Sequence, residues 1–103
     1  MAKSRRTKAL DISPAVKAAV YERDGGRCVL CGRPGLPNGH FIPRSQSGSG
    51  IEENVITLCI KCHNRYDNGA GRAAIETELE AYLRSLYPEW SREKLLYRKE
   101  DYI

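Results

Sequence analysis

Apolar residues change their spacing along the chain, and each change marks an element. In SPAVKAAVYERDGG (residues 13–26), Val16, Ala19 and Val20 recur on one helical face. Ser13 can cap that helix, Pro14 suits its first turn, and Gly25-Gly26 stops it. GRPGLPNG (residues 32–39) is turn-rich. HFIP (residues 40–43) is a short apolar piece that reads as a strand, and VITLC (residues 55–59) is the clearest strand signal in the chain. RSQSGSGIEEN, between them, reads as a flexible loop, so the two strands predict an irregular hairpin. Beyond CIKCHNRYDNG the period becomes helical. RAAIETELEAYLRSLY (residues 72–87) places Ile75, Leu79, Tyr82, Leu83 and Leu86 near one face, and Pro88 ends it. SREKLLYRKEDYI can form a last short helix capped by Ser91. A helix, a hairpin and further helices, with no internal repeat, predict a single α+β domain.

MAKSRRTKAL (residues 1–10) lacks such a pattern and reads as a basic disordered arm. Residues 11–75 then form the main unit, and residues 76–103 a C-terminal helical extension of the same domain. Charge follows this division. The net charge is +4, but residues 1–75 carry 12 Lys/Arg against 6 Asp/Glu, and residues 76–103 carry 5 against 7. A basic main unit suits a polyanion such as nucleic acid, and equally a solvated basic surface. No apolar run approaches the roughly 20 residues of a membrane span, and no apolar stretch follows the basic N-terminus as in a secretory signal. The expectation is a cytoplasmic protein without a membrane partner. A chain of 103 residues buries a small core, so a covalent or metal staple is expected.

The cysteines supply one. All four fall in paired spacing: Cys28-x2-Cys31, 27 intervening residues, then Cys59-x2-Cys62. Two thiolates on a tight knuckle can bind one Zn2+ together, and two knuckles complete a closed tetrahedral, structural site. The alternatives are a disulfide pair, disfavoured without a secretory signal, or four unrelated cysteines. His63 directly follows the second knuckle, and Asp67 lies four residues on. On a helix these two share a face, and an imidazole with a carboxylate can hold a divalent cation with positions left for water and phosphate. His63 also fits a substitute zinc ligand or a polar residue at a helix start, and Asp67 an exposed turn residue.

The order Cys-x2-Cys, Gly-His-Phe-Ile-Pro-Arg-Ser, Gly-rich loop, Glu-Asn-Val-Ile-Thr-Leu-Cys, Ile-Lys-Cys-His, from Val20 to Gly69, resembles the HNH endonucleases, especially the small ones of phages and prophages. The resemblance implies a ββα-metal (His-Me finger) core backed by a structural zinc on the four cysteines. It implies that His40, at the start of the first strand, is the general base that takes a proton from water attacking a DNA phosphodiester. Asn54 would hold the hairpin and orient the His40 ring. His63 would be a ligand of a catalytic divalent ion, Mg2+, Mn2+ or another transition metal, and Asp67 a second ligand. Many members carry Asp or His as a metal ligand immediately before the base. Here that position is Gly39. Three solutions are open: His63 and Asp67 hold the ion with phosphate and water, Asn38 or Asn54 contributes, or catalysis is lost.

Arg44, Arg65 and Lys61 are placed to contact DNA phosphates, and Lys3, Arg5, Arg6 and Lys8 to add salt-sensitive affinity. Solvated charge is the alternative for each. The leading expectation is a metal-dependent DNA endonuclease, making nicks or double-strand breaks. The alternatives are a zinc-stabilised DNA-binding module without chemistry, or a module that docks a phage or host protein through its C-terminal helices.

Overall fold

The computed structural model describes residues 5–69 and 71–97. Lys3 and the C-terminal extension beyond residue 97 lie outside the described residues. Six elements follow one another: α1 (Arg5–Leu10), α2 (Pro14–Arg23), β1 (Leu36–His40), β2 (Val55–Leu58), α3 (Ile60–Asn68) and α4 (Arg72–Leu86). Short 3-10 turns lie at Arg44–Gln46, Glu52–Asn54 and Arg92–Leu95. Among the described residues no helix is long and apolar enough to cross a membrane.

Local chemistry sets most boundaries. The Ser13 hydroxyl accepts the Val16 amide at 3.2 Å and caps α2, whose first residue is Pro14. Gly25 and Gly26, with φ of 67° and 68°, turn the chain out of that helix. On α4, Ile75, Leu79 and Leu83 are buried as the periodicity predicts, while Leu86 is exposed.

β1 and β2 form the antiparallel hairpin, with Gly39 opposite Ile56, His40 opposite Val55, and an irregularity between Leu36 and Gly39. β1 runs earlier than the apolar signal places it, so His40 ends the strand instead of starting it. Phe41 and Ile42 continue into the core, with the Phe41 amide donating to Asn54 O at 2.8 Å. Gly39 faces β2 closely: a Cβ there would lie 2.9 Å from a Leu58 methyl and 3.2 Å from Ile56 O. A side chain at this position would therefore need the Leu58 methyl and the Ile56 carbonyl to give way.

Two readings from the sequence are corrected. Residues 5–10 of the expected disordered arm form α1, and Leu10 is buried. The stretch read as a flexible loop is a packed strap. Gly48, Ser49 and Gly50 are buried, and their amides donate to Pro43 O, Leu95 O and Ala9 O at 3.0, 2.7 and 2.9 Å. Added Cβ atoms would stand 1.7 Å from Ile42 O at Gly48 and 2.0 Å from Asp11 O at Gly50. Only glycine lets the strap pass between α1 and the C-terminal segment.

The core joins the hairpin to α3 and α4. Phe41 meets Trp90 edge to face at 5.6 Å, and the Tyr66 hydroxyl donates to Phe41 O at 2.7 Å. Behind the hairpin lies a buried polar knot. The Arg23 guanidinium donates to both carboxylate oxygens of Asp24, at 2.8 and 3.0 Å, and to Glu52 O and Val55 O. Asp24 accepts in addition from the Thr57 amide and the Tyr82 hydroxyl. Burial opposes the Asp24 charge, but Arg23, Tyr82 and the Thr57 amide outweigh it and hold the carboxyl below its ordinary value. Its contribution to stability is therefore complete above the ordinary carboxylate range and lost as pH falls through the depressed value. The Asp24 side chain is fully buried, so Asp24→Asn leaves a buried guanidinium uncompensated. The expected cost is about 3 kcal/mol, read as a lower urea midpoint at constant slope. A loss no larger than that of an exposed ion pair, under about 1 kcal/mol, would refute this account.

Candidate active site

The cysteine knuckles form where tight turns fold them. Gly32, at φ 77°, closes the first: the Cys28 amide donates to Arg33 O at 2.7 Å and the Gly32 amide to Cys28 O at 2.9 Å. In the second, Cys59 is the N-cap of α3, and its Sγ accepts the Cys62 amide at 3.4 Å. The four sulfurs all lie within 4.8 Å of one another, with Cys31 Sγ and Cys59 Sγ at 3.6 Å, and none is in a disulfide. Zn–S bonds of about 2.3 Å place tetrahedral sulfurs roughly 3.8 Å apart, so the set fits zinc.

The structure also forms an open cleft of about 890 Å3. His40, His63 and Asp67 all line it, as do Asn38, Arg44 and Asp11. His63 and Asp67 share a face of α3, as the four-residue spacing predicts, with Nδ1 and Oδ2 3.1 Å apart. That bond engages one ring nitrogen and leaves Nε2 as the donor a cation can use. Among the described residues the four cysteines are the only cluster of three or more acidic, His or Cys ligands. His63 and Asp67 are thus a two-donor set, and Asn38 also lines the cleft.

His40 sits at the end of β1, half-buried. Its Nε2 lies 2.9 Å from Leu10 O. A carbonyl only accepts, so Nε2 carries the hydrogen and Nδ1 the lone pair. Burial lowers the affinity of the ring for a proton, and the charges of Arg44 and His63 lower it further, against the opposing Leu10 bond. The imidazole is therefore held neutral near pH 7.

Asn54 is fully buried and does not line the cleft. Its Oδ1 accepts the Ile42 amide at 2.8 Å, and its Nδ2 donates to Ser49 O at 2.8 Å and Ile42 O at 3.2 Å. These bonds hold the hairpin to the strap, and the ring of His40 takes Leu10 O as its partner. Arg44 lies on the rim, 2.5 Å from Asp11. Arg65 and Lys61 are exposed and do not line the cleft, because neither shares the helical face of His63 and Asp67.

Two further cations line the cleft without any mark in the sequence: Lys17 on α2 and Arg72, the first residue of α4. Arg72 lies over the Tyr66 ring, 4.0 Å from its centre, and donates to Tyr66 O. Its position depends on the packing of α4 against α3, which no local pattern encodes.

Hairpin, helix and paired histidine and carboxylate, stapled by four thiols, make this a small ββα-metal unit. Residues 28–69 match the HNH endonuclease family model. A relative, anaredoxin from Nostoc sp., is 40% identical over 45 residues, which is 42% of this chain and 59% of that protein. The structure of ScoMcrA, a type IV phosphorothioation-dependent restriction endonuclease, superposes with a TM-score of 0.61 at 26% identity, over 82% of this chain and 23% of that one. The chain thus spans under two thirds of the relative and about a quarter of the restriction enzyme.

Proposed function

We propose that the chain is a metal-dependent endonuclease that hydrolyses DNA phosphodiester bonds. One observation carries the reading: His40, His63 and Asp67 converge on a single open cleft rimmed by Lys17, Arg44 and Arg72. His40 Nδ1 accepts a proton from water, and the water oxygen attacks phosphorus in line. The bond from phosphorus to the 3′ oxygen breaks, and that oxygen takes a proton from solvent. His63 and Asp67 would hold a divalent ion, which supplies positive charge against the phosphate and the leaving oxygen. Arg44, Lys17 and Arg72 position the backbone on either side of the scissile bond. Four thiolates of Cys28, Cys31, Cys59 and Cys62 would hold zinc as the structural staple.

The test is supercoiled-plasmid cleavage by the purified protein with Mg2+, Mn2+ or Ni2+. Conversion to nicked or linear DNA is expected. DNA bound yet left intact with every ion would sink the proposal and favour a zinc-stabilised binding module. Arg72 gives a separate check. Arg72→Gln is expected to reduce the slope of log affinity against log salt by about one unit, uniformly across DNA sequences. An unchanged slope would remove Arg72 from the DNA path.

A further inference from the structure

We infer that the N-terminal segment, residues 5–12, is a working part of the active centre: it carries the carbonyl that fixes the His40 tautomer and the carboxylate that holds Arg44 at the cleft rim. This rests on the reading of His40 as the base. The segment lies outside the stretch matched to the family, residues 28–69, so the HNH core alone does not contain it.

The last carbonyls of any helix lack partners within it. In α1, two consecutive ones are taken by the catalytic unit. Ala9 O accepts the Gly50 amide at 2.9 Å, and Leu10 O accepts from His40 Nε2 at 2.9 Å. Leu10 is 1% exposed and anchors the segment. Asp11 then pairs with Arg44 at 2.5 Å, and Arg6 reaches Arg44 O and Ser47 Oγ at 3.4 and 3.3 Å. The segment therefore grips the strap and the base at once. Leu10 O is a positioning group: it commits Nε2 to the hydrogen and leaves Nδ1 free for the water proton.

Gly50 is the point at which to break this grip, because a Cβ there would stand 2.0 Å from Asp11 O. The full chain, labelled with 15N at histidine, is compared with Gly50→Ala by NMR and by plasmid-cleavage kinetics. The wild-type ring is expected to be a single tautomer with an Nε2–H signal protected from solvent exchange. In Gly50→Ala that protection is lost, kcat falls roughly 10–100-fold from misplacement of the base, and KM rises because Asp11 no longer holds Arg44. A wild-type ring protonated at Nδ1, or one in free exchange with solvent, overturns the inference. So does a variant that loses the protected signal yet keeps kcat. Leu10→Ala withdraws the anchor without crowding the strap and carries the same expectations, so a poorly folding Gly50→Ala leaves a second route. Failure of the base assignment is distinguishable: His40→Ala would then cleave DNA, whatever state the ring adopts.

Discussion

His40→Ala is expected to cleave supercoiled DNA roughly 10²–10⁴-fold more slowly than the wild type, the usual contribution of a positioned general base. Binding to DNA and thiol-bound zinc should survive, because His40 is no part of the four-cysteine cluster and the cations of the cleft are untouched. The pH dependence should carry the signature of the same residue. Burial, with the charges of Arg44 and His63, sets the pKa of His40 below its ordinary 6.5. The reactive form is the neutral one. The rate of the wild type should therefore rise with pH and reach its midpoint below 6.5. Arg44→Gln removes one of the positive charges and should move that midpoint upward. A wild-type midpoint above 6.5, or an alanine variant that cuts at the wild-type rate, would remove His40 from the role of base.

What the sequence made legible follows the range of the interactions involved. The α2 cap at Ser13, the Gly25-Gly26 stop, the buried face of α4 and the two knuckles are all decided within a few residues, so local patterns reveal them. The His63–Asp67 pair is likewise a helical spacing. α1 was illegible for the opposite reason. Six residues are too few to hold a helix by propensity, and this one is kept by Leu10 and by bonds to Gly50 and His40, which lie far along the chain. The strap reads as a flexible loop in the sequence because glycine and serine mark flexible loops and tight passages alike. Its glycines serve close approach, as the short distances from a Cβ at Gly48 and Gly50 indicate. Trp90 gave no periodic signal between Pro88 and Ser91, yet it closes the core against Phe41. Arg72 and Lys17 join the cleft through helix packing alone, whereas Arg65, two residues from His63, is carried to another face by the turn of α3.

Zinc on the four cysteines would be the staple of the fold, and its removal is expected to have the largest effect on stability. Cys62→Ser, or a strong chelator added to the wild type, should unfold the chain at room temperature instead of merely lowering its melting point. The apparent free energy of structural zinc binding to small domains is about 10–16 kcal/mol at neutral pH, and total stabilities of domains are about 5–15 kcal/mol. In a chain of 103 residues a bound zinc would therefore account for most or all of the margin. The cluster is built to need a cation. The Cys62 amide, at the start of α3, draws the Cys59 thiol down to about 7, while burial and the neighbouring sulfurs push Cys62 well above its ordinary value. One thiolate thus forms readily, and four within 4.8 Å of each other repel unless a metal neutralises them. Both knuckles also fasten working parts: the first joins α2 to β1, and the second begins the helix that bears His63 and Asp67. Loss of zinc should therefore abolish helical circular dichroism and DNA cleavage together, with one zinc released per chain. A chelated protein that keeps its far-ultraviolet spectrum and its melting transition would show that the core stands without the metal.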